Sequence, residues 1–565
     1  MRKKKNSGVF ILATMKIQPI KNAQEFRAGI VNINAFSDSH GQLDQGGAMY
    51  YDMQTNSNSV FLKEGAGKKN VLAISGDWFM AGNTKGYKTN PEYNNQKYQT
   101  IFLNKFIQNL RRFSPNMSVI LSLGNHEFDA GEKDLVKSMQ QVRGNVILTN
   151  ANFENSPPLR KLAHQEKLTK SKVVEVQDDK DPKLKHKVLF VGVAPGNMCY
   201  YNKKIKNIEF SDNVKKPQSE ILPQDVKNTI KAVEDEILGF KKENPNGAVV
   251  LMDHFAGTFF DEIAKKDLPI DFILGAHEHK DESFVLDNGT MVAKLSQNFQ
   301  KYENIKIKFG DDGKIEDIKM KDYYPKDTDG TTALDKFYRK LFKKDLRTQY
   351  TIPAQEGLYE LSLKGVRNSN SHLANYICDV IFHQIKKDYP QTDFFALNAS
   401  AIRGPLKVGE KPINNTHLIT ILNGIKEEEA TIVITKASGD EVLDIICENL
   451  AQNLVQPQKN PLYQFSGLKI NKTAILEGMD RGASKKDLIH FITLADTNEP
   501  LELDKTYNFA NVEKFFIKGK TDIIKKLASE EFTLKTDINA KKAFIEFFDS
   551  GEYTQVVAKK EERYI

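Results

Sequence analysis

At 565 residues the chain exceeds what one hydrophobic core organises, so two domains of about 200–300 residues are expected. A composition of 40% hydrophobic and 27% charged residues is that of an ordinary globular protein, and no apolar run approaches the ~20 residues of a membrane span. The net charge of +7 is spread over 81 basic and 74 acidic side chains, so neither nucleic acid nor a membrane is expected as a partner, and the oligomeric state is left open.

Residues 1–27 read as an amino-terminal extension. Arg2 to Lys5 and the apolar 9–13 imitate a secretory signal, but that stretch is about five residues long against the roughly seven to fifteen required. Cys199, Cys378 and Cys447 are widely separated and carry no CxxC spacing, which argues against a disulfide framework and suits a reducing compartment. A cytoplasmic location is expected, with export by a non-classical route as the alternative.

From 28 to about 326, short β-branched runs alternate with helical stretches, the pattern of a layered α/β domain. Strands are expected at 30–36, 71–75, 117–123, 188–193, 248–252 and 271–274, and helices at 98–113 and 225–242. Two polar inserts, 83–96 and 177–186, read as surface loops. A charged helix at 331–346 lies within a linker, 327–355. The second domain, 356–565, shows a helix at 374–387, strands at 394–397 and 432–436, and a helix at 441–450.

The strand ends collect polar residues: Asp38, His40, Asp77, Asn125, His126, Asp129, His254, His277 and His279. Five of the eleven histidines are among them, each just after an apolar run and near a glycine. Open α/β sheets bind ligands at the carboxyl ends of their strands. Singly, His40 or His254 could be a hydrogen-bonded structural histidine; His277 and His279, one residue apart, are expected on the same side of an extended chain. Two divalent cations about 3.5–4 Å apart can clamp the attacking and leaving oxygens of a phosphoryl displacement, and a shared carboxylate, for which Asp77 is placed, lowers their repulsion. Mixed N/O ligation without thiolate suits Mn, Zn, Fe or Co.

These motifs, Asp38-Ser39-His40, Gly76-Asp77, Gly124-Asn125-His126-Glu127-Phe128-Asp129, Asp253-His254 and Gly275-Ala276-His277-Glu278-His279, resemble those of the calcineurin-like metallophosphoesterases, and more closely the 5'-nucleotidase family. The resemblance implies an amino-terminal four-layer α/β/β/α metallophosphoesterase sandwich and a carboxyl-terminal α+β substrate-binding domain joined by a helical linker. It implies one metal held by Asp38, His40, Asp77 and His279 and a second by Asp77, Asn125, His254 and His277. His126 and Asp129 become the catalytic dyad, and a metal-bridging water the nucleophile. The activity so implied is release of phosphate from nucleoside 5'-monophosphates, with a nucleotide as small-molecule partner. The alternatives are a nucleotide diphosphate sugar hydrolase or cyclic-nucleotide phosphodiesterase of the same fold and, further off, a non-catalytic nucleotide-binding protein.

The second domain resembles the same family at Asn398-Ala399-Ser400-Ala401-Ile402-Arg403, at 464–468 and at 511–521, which implies substrate contacts from Asn398, Arg403, Phe465 and Phe515. Ala399-Ser400-Ala401 stands where the family has three glycines, so a backbone that could approach a ligand carries side chains. Gly519-Lys520-Thr521-Asp522 replaces the family's Gly-Gly-Asp-Gly, so an acidic residue for the ribose is missing or displaced.

Overall fold

The computed structural model describes residues 29–564 except 41–42, 44–45, 80–95, 130, 182, 200–204, 206, 213, 215, 217–219, 327–331, 342–348, 364, 410–412, 415–417, 419–420, 423, 426–429, 456–459, 514–526, 528–532 and 561–562. The extension 1–27, nearly all of the insert 83–96 and the segment around Phe515 thus fall outside the described residues.

The alternating strands and helices resolve into two sheets laid face to face. In the first, Gly29–Phe36, Lys68–Ser75, Ser118–Ser122, Asn145–Ile147 and Leu168–Thr169 are parallel neighbours, and Tyr302–Phe309 and Ile315–Tyr323 extend the other edge of Gly29–Phe36 antiparallel. In the second, Lys185–Val193, Ala248–Asp253, Phe272–Gly275 and Met291–Lys294 are parallel, with Ser171–Gln177 and Glu282–Val285 antiparallel at the edges. Side chains alternate across a strand, so Val250 and Met252 join Val31, Ile33, Val71 and Ile120 in the core between the sheets. Val249 and Leu251 point the other way, into a layer shared with Val233 and Ile237 of the helix Lys227–Glu243. On the far side Phe36, Leu72, Ile74 and Leu121 carry the helices Gly46–Thr55, Gln96–Leu110 and Glu132–Gln141. Burial on both faces explains the unbroken apolar strands of the sequence, and the result is an α/β/β/α sandwich.

The insert at 177–186 is not a surface loop throughout. It closes a hairpin whose second strand already begins at Lys185, and His186 is buried, 2.8 Å from Asp178 and stacked on Phe309. A charged-looking stretch can supply a strand when its imidazole finds a buried carboxylate.

The expected linker helix is described over Ala333–Leu341 and packs on the first domain through Leu334 and Tyr338. Its start is a reciprocal cap: Thr332 N–H donates to Asp335 at 2.9 Å and Asp335 N–H to the Thr332 hydroxyl at 3.0 Å. The second domain holds a mostly antiparallel five-stranded sheet ordered Tyr463–Ser466, Phe394–Asn398, Thr506–Val512, Thr431–Ser438, Thr533–Asn539. Helices His372–Asp388 and Ala540–Asp549 cover one face and Gly439–Val455 the other.

Candidate metal centre and active site

The strands Gly29–Phe36, Lys68–Ser75, Ser118–Ser122, Ala248–Asp253 and Phe272–Gly275 all deliver their carboxyl ends to one place. There Asp38, His40, Asp77, His277 and His279 have φ between 47° and 68°, five of the ten non-glycine residues in the left-handed region among the described residues. Such strain persists only where surroundings impose it, and it clusters at working sites. His277 and His279 are therefore not on an extended chain, contrary to the reading of their spacing. Left-handed turns send them to different donor groups: Asp38, His40 and His279 form one, Asp77, His254 and His277 another. A third grouping, His40, Asp77 and His126, overlaps both.

Each carboxylate is held by one oxygen and leaves the other to the cluster. Asp38 Oδ2 accepts from the Ser37 hydroxyl at 2.6 Å and the His277 N–H at 3.1 Å, while Oδ1 lies 3.2 Å from His279 Nε2. Asp77 Oδ1 accepts the His126 N–H at 2.9 Å; its Oδ2 lies 2.9 Å from His254 Nε2, 3.7 Å from His40 Nε2 and 3.9 Å from His126 Nε2. Asp38 Oδ1, His40 Nε2, His254 Nε2 and Asn125 Oδ1 are buried without a hydrogen-bond partner among the described residues. Orphaned donor atoms of metal-ligating type, converging beside two buried carboxylates, fit a cation site.

The electrostatics agree. Burial holds the His277 and His279 imidazoles down at about 3, the neutral form a metal requires. Burial works against charge on Asp38 and Asp77 too, yet the surrounding histidines, His254 foremost, hold both carboxyls below their usual range. His126 shifts the other way, as does His254: burial opposes charge on His126, but Asp129, 2.7 Å from Nδ1, and Asp77 carry it up to about 9.

Two glycines make the approach possible. A Cβ on Gly76 would sit 2.3 Å from His254 Nδ1, and one on Gly124 2.3 Å from Asp77 Oδ1. Glu127, invisible to the sequence reading as more than a motif letter, accepts the N–H groups of Asp77, Phe79 and Gly124 at 3.0, 2.9 and 2.6 Å and so clamps two of the loops together.

From the second domain, Arg403 lies within electrostatic reach of the same acids: burial depresses its guanidinium against the pull of Asp77, Asp38 and Asp129, and its Nε has no hydrogen-bond partner among the described residues. Arg367, which no motif flagged, lies near enough that burial and the Arg403 charge bring it down to about 9. Asn398 caps the short turn Ala399–Ala401 by accepting the Ser400 N–H at 2.9 Å. Phe465 is 3% exposed, in the core beside Ala396 and Phe394, because its strand pairs with Phe394–Asn398 and turns that side chain inward. Phe515 lies outside the described residues.

Residues 31–281 match the calcineurin-like phosphoesterase family and 350–527 the 5'-nucleotidase C-terminal domain, which together span most of the chain. The fold is similar to that of a 5'-nucleotidase precursor from Thermus thermophilus, with a TM-score of 0.62 at 15% identity over 95% of this chain and 99% of that one. It is also similar to the sulfate thiohydrolase SoxB of the same organism, at 0.59 and 13% identity over 95% and 96%. In sequence, 354 residues are 23% identical to the trifunctional nucleotide phosphoesterase protein YfkN of Bacillus subtilis (strain 168), covering 55% of this chain. The chain spans 22% of the length of that relative.

Proposed function

The chain belongs to the calcineurin-like phosphoesterases that carry a 5'-nucleotidase C-terminal domain, a metal-dependent class of phosphoester hydrolase, and we propose that it releases phosphate from nucleoside 5'-monophosphates at a two-metal centre. The observation behind this reading is the pair of donor groups flanking Asp77, with Arg403 turned to the same carboxylates from the second domain. In it, Asp38, His40, Asp77 and His279 hold one divalent ion and Asp77, Asn125, His254 and His277 the other. Two ions of the Mn, Zn, Fe or Co type supply Lewis-acid polarisation of the phosphoryl group and a nucleophile at neutral pH.

The chain's own residues do the rest. Asp129 orients His126 and keeps it charged, so that its Nε2 can donate to phosphoryl oxygens as negative charge builds in the transition state. Arg403, beside Arg367, presents a fork to an anionic substrate group. Phe515, on resemblance alone, offers a face for the base.

A wider range, including cyclic nucleotides or nucleotide diphosphate sugars, is the second reading. It draws on the relative named a trifunctional nucleotide phosphoesterase and on the side chains of Ala399-Ser400-Ala401 in place of glycines.

The test is phosphate release from nucleoside monophosphates, cyclic nucleotides, nucleotide sugars and an aryl phosphate, each with Mn, Zn, Fe or Co. Nucleoside monophosphates are expected to have the highest kcat/KM, with activity abolished by chelator and restored by metal. Equal or faster turnover of the others overturns the substrate; full activity without metal overturns the centre.

A further inference from the structure

Asn298 and Phe299 are consecutive non-glycine residues at φ 55° and 58°, a conformation that L residues keep only where their surroundings enforce it. The enforcement is on both sides. Phe299 is a buried peg, its ring 5.4 Å from that of Phe36 and 6.1 Å from that of Phe106. Lys301, also buried, reaches Asp281 at 2.6 Å, two residues beyond His279, and so ties this loop to the one carrying His277 and His279. The backbone N–H of Asn298 donates to the Asp38 carbonyl at 2.8 Å.

The Asn298 side chain is held in this way between two partners of different kinds. Its Oδ1 lies 3.3 Å from His40 Nδ1, and its Nδ2 donates to the Arg403 carbonyl at 3.1 Å. His40 Nε2 faces Asp38 and Asp77 at 3.7 Å each, so in the form able to ligate, the proton sits on Nδ1 and Asn298 is its acceptor. One amide therefore has its acceptor end on a candidate metal ligand of the first domain. Its donor end is on the main chain of the arginine that the second domain sends to the same acids. The Arg403 N–H is in turn bonded to the Ile421 carbonyl at 2.7 Å, which anchors that backbone within its own domain.

We infer that Asn298 is a positioning residue that couples the first metal site to the seating of Arg403, one amide serving both domains. The inference rests on the two-metal reading above.

Two substitutions separate the ends of the amide. Asn298→Asp keeps an oxygen for His40 but cannot donate to the Arg403 carbonyl; Asn298→Ala loses both. Full-length wild type and variants are loaded with Mn, and two quantities are read: Mn retained against graded chelator, and KM and kcat for a nucleoside monophosphate at saturating Mn. Asn298→Ala is expected to weaken Mn retention about 10- to 100-fold, the usual scale for losing an outer partner of a ligating histidine. Asn298→Asp is expected to retain Mn as wild type does. Both variants raise KM about fivefold, the worth of one hydrogen bond, with kcat little changed. Wild-type Mn retention by Asn298→Ala, or loss of Mn by Asn298→Asp equal to that of Asn298→Ala, overturns the coupling, as does a KM unchanged in both. If Asn298→Ala does not fold, Asn298→Asp against wild type still decides: raised KM with Mn retained supports the coupling, any other result overturns it. A wild-type chain that retains no metal overturns instead the reading of the centre itself.

Discussion

His254 and Asp77 meet as two acceptors. The proton on His254 Nδ1 is committed to the Ser75 carbonyl at 2.8 Å, which leaves the Nε2 lone pair facing Asp77 Oδ2 across 2.9 Å. Such a pair needs a cation or a proton between its members. Burial opposes charge on His254, yet Asp77 and Asp38 carry it up to about 10, the electrostatic mark of a site that attracts positive charge.

Asp77 Oδ2 lies 2.9 Å from His254 Nε2 and 3.7 Å from His40 Nε2, one member of each donor group, so removing its charge affects both. Asp77→Asn is expected to lower occupancy of both sites together, read as total metal per chain after dialysis against chelator. Loss of one equivalent with the other intact would assign Asp77 to a single ion.

His126 is assigned to the transition state and not to ground-state binding. His126→Ala is expected to lower kcat by ~10²–10³-fold with KM little changed, the scale of losing one transition-state donor. A loss confined to KM would make it a substrate-binding residue.

The same residue sets a pH dependence in the chelated chain. Its folded pKa of about 9 lies above the ordinary 6.5: burial opposes the charge, and Asp129 and Asp77 outweigh it. The resulting stability is in full force below pH 6.5 and is lost as pH rises through about 9. At 1.36 kcal/mol per pKa unit it amounts to at most about 3 kcal/mol. Between those pH values, the melting temperature of the chelated wild type should fall more than that of chelated His126→Gln. Parallel curves would show that the Asp129 contact carries no charge.

Gly124→Ala tests close approach without replacing a ligand. The added methyl would lie 2.3 Å from Asp77 Oδ1 and 2.7 Å from both the Asp77 backbone N and His254 Cδ2. The chain is expected to fold and to lose metal retention about tenfold or more, by analogy with other losses of ligand orientation. Retention equal to wild type would mean that the two loops can separate at no cost to the centre.

Phe465 and Phe515 should behave oppositely. Phe465→Ala removes a ring from a closed core and is expected to cost about 3–5 kcal/mol of stability, measured by denaturant unfolding, with no change in KM beyond that. Phe515→Ala is expected to raise KM for a nucleoside monophosphate about tenfold, on the 1–3 kcal/mol scale of base stacking, and to leave an aryl phosphate unaffected. Equal effects on both substrates would take the base-stacking role away from Phe515.

Much of the first domain was legible because its strands are buried on both faces. A run such as 248–252 is apolar throughout, is followed by Asp253 and His254, and needs no partner to be recognised. The same logic picked out Asp38, His40, Asp77, His254, His277 and His279, which the fold brings together, since a carboxylate or imidazole close after a buried strand stands out in one dimension. What the residues could not carry was handedness and distance. The spacing of His277 and His279 suggests a shared face, whereas positive φ at both divides them between two donor groups. Only the folded chain decides that Phe465 points into a core, that His186 pairs with Asp178 inside a hairpin, and that Arg367 stands near Arg403. The first and the last depend on pairings between segments tens of residues apart, and the second on a hairpin closing over eight residues, and the periodicity of a single segment shows neither. Asn298 is the clearest case. Its importance lies wholly in two partners, His40 and Arg403, 258 and 105 residues away, which nothing in the sequence around it announces.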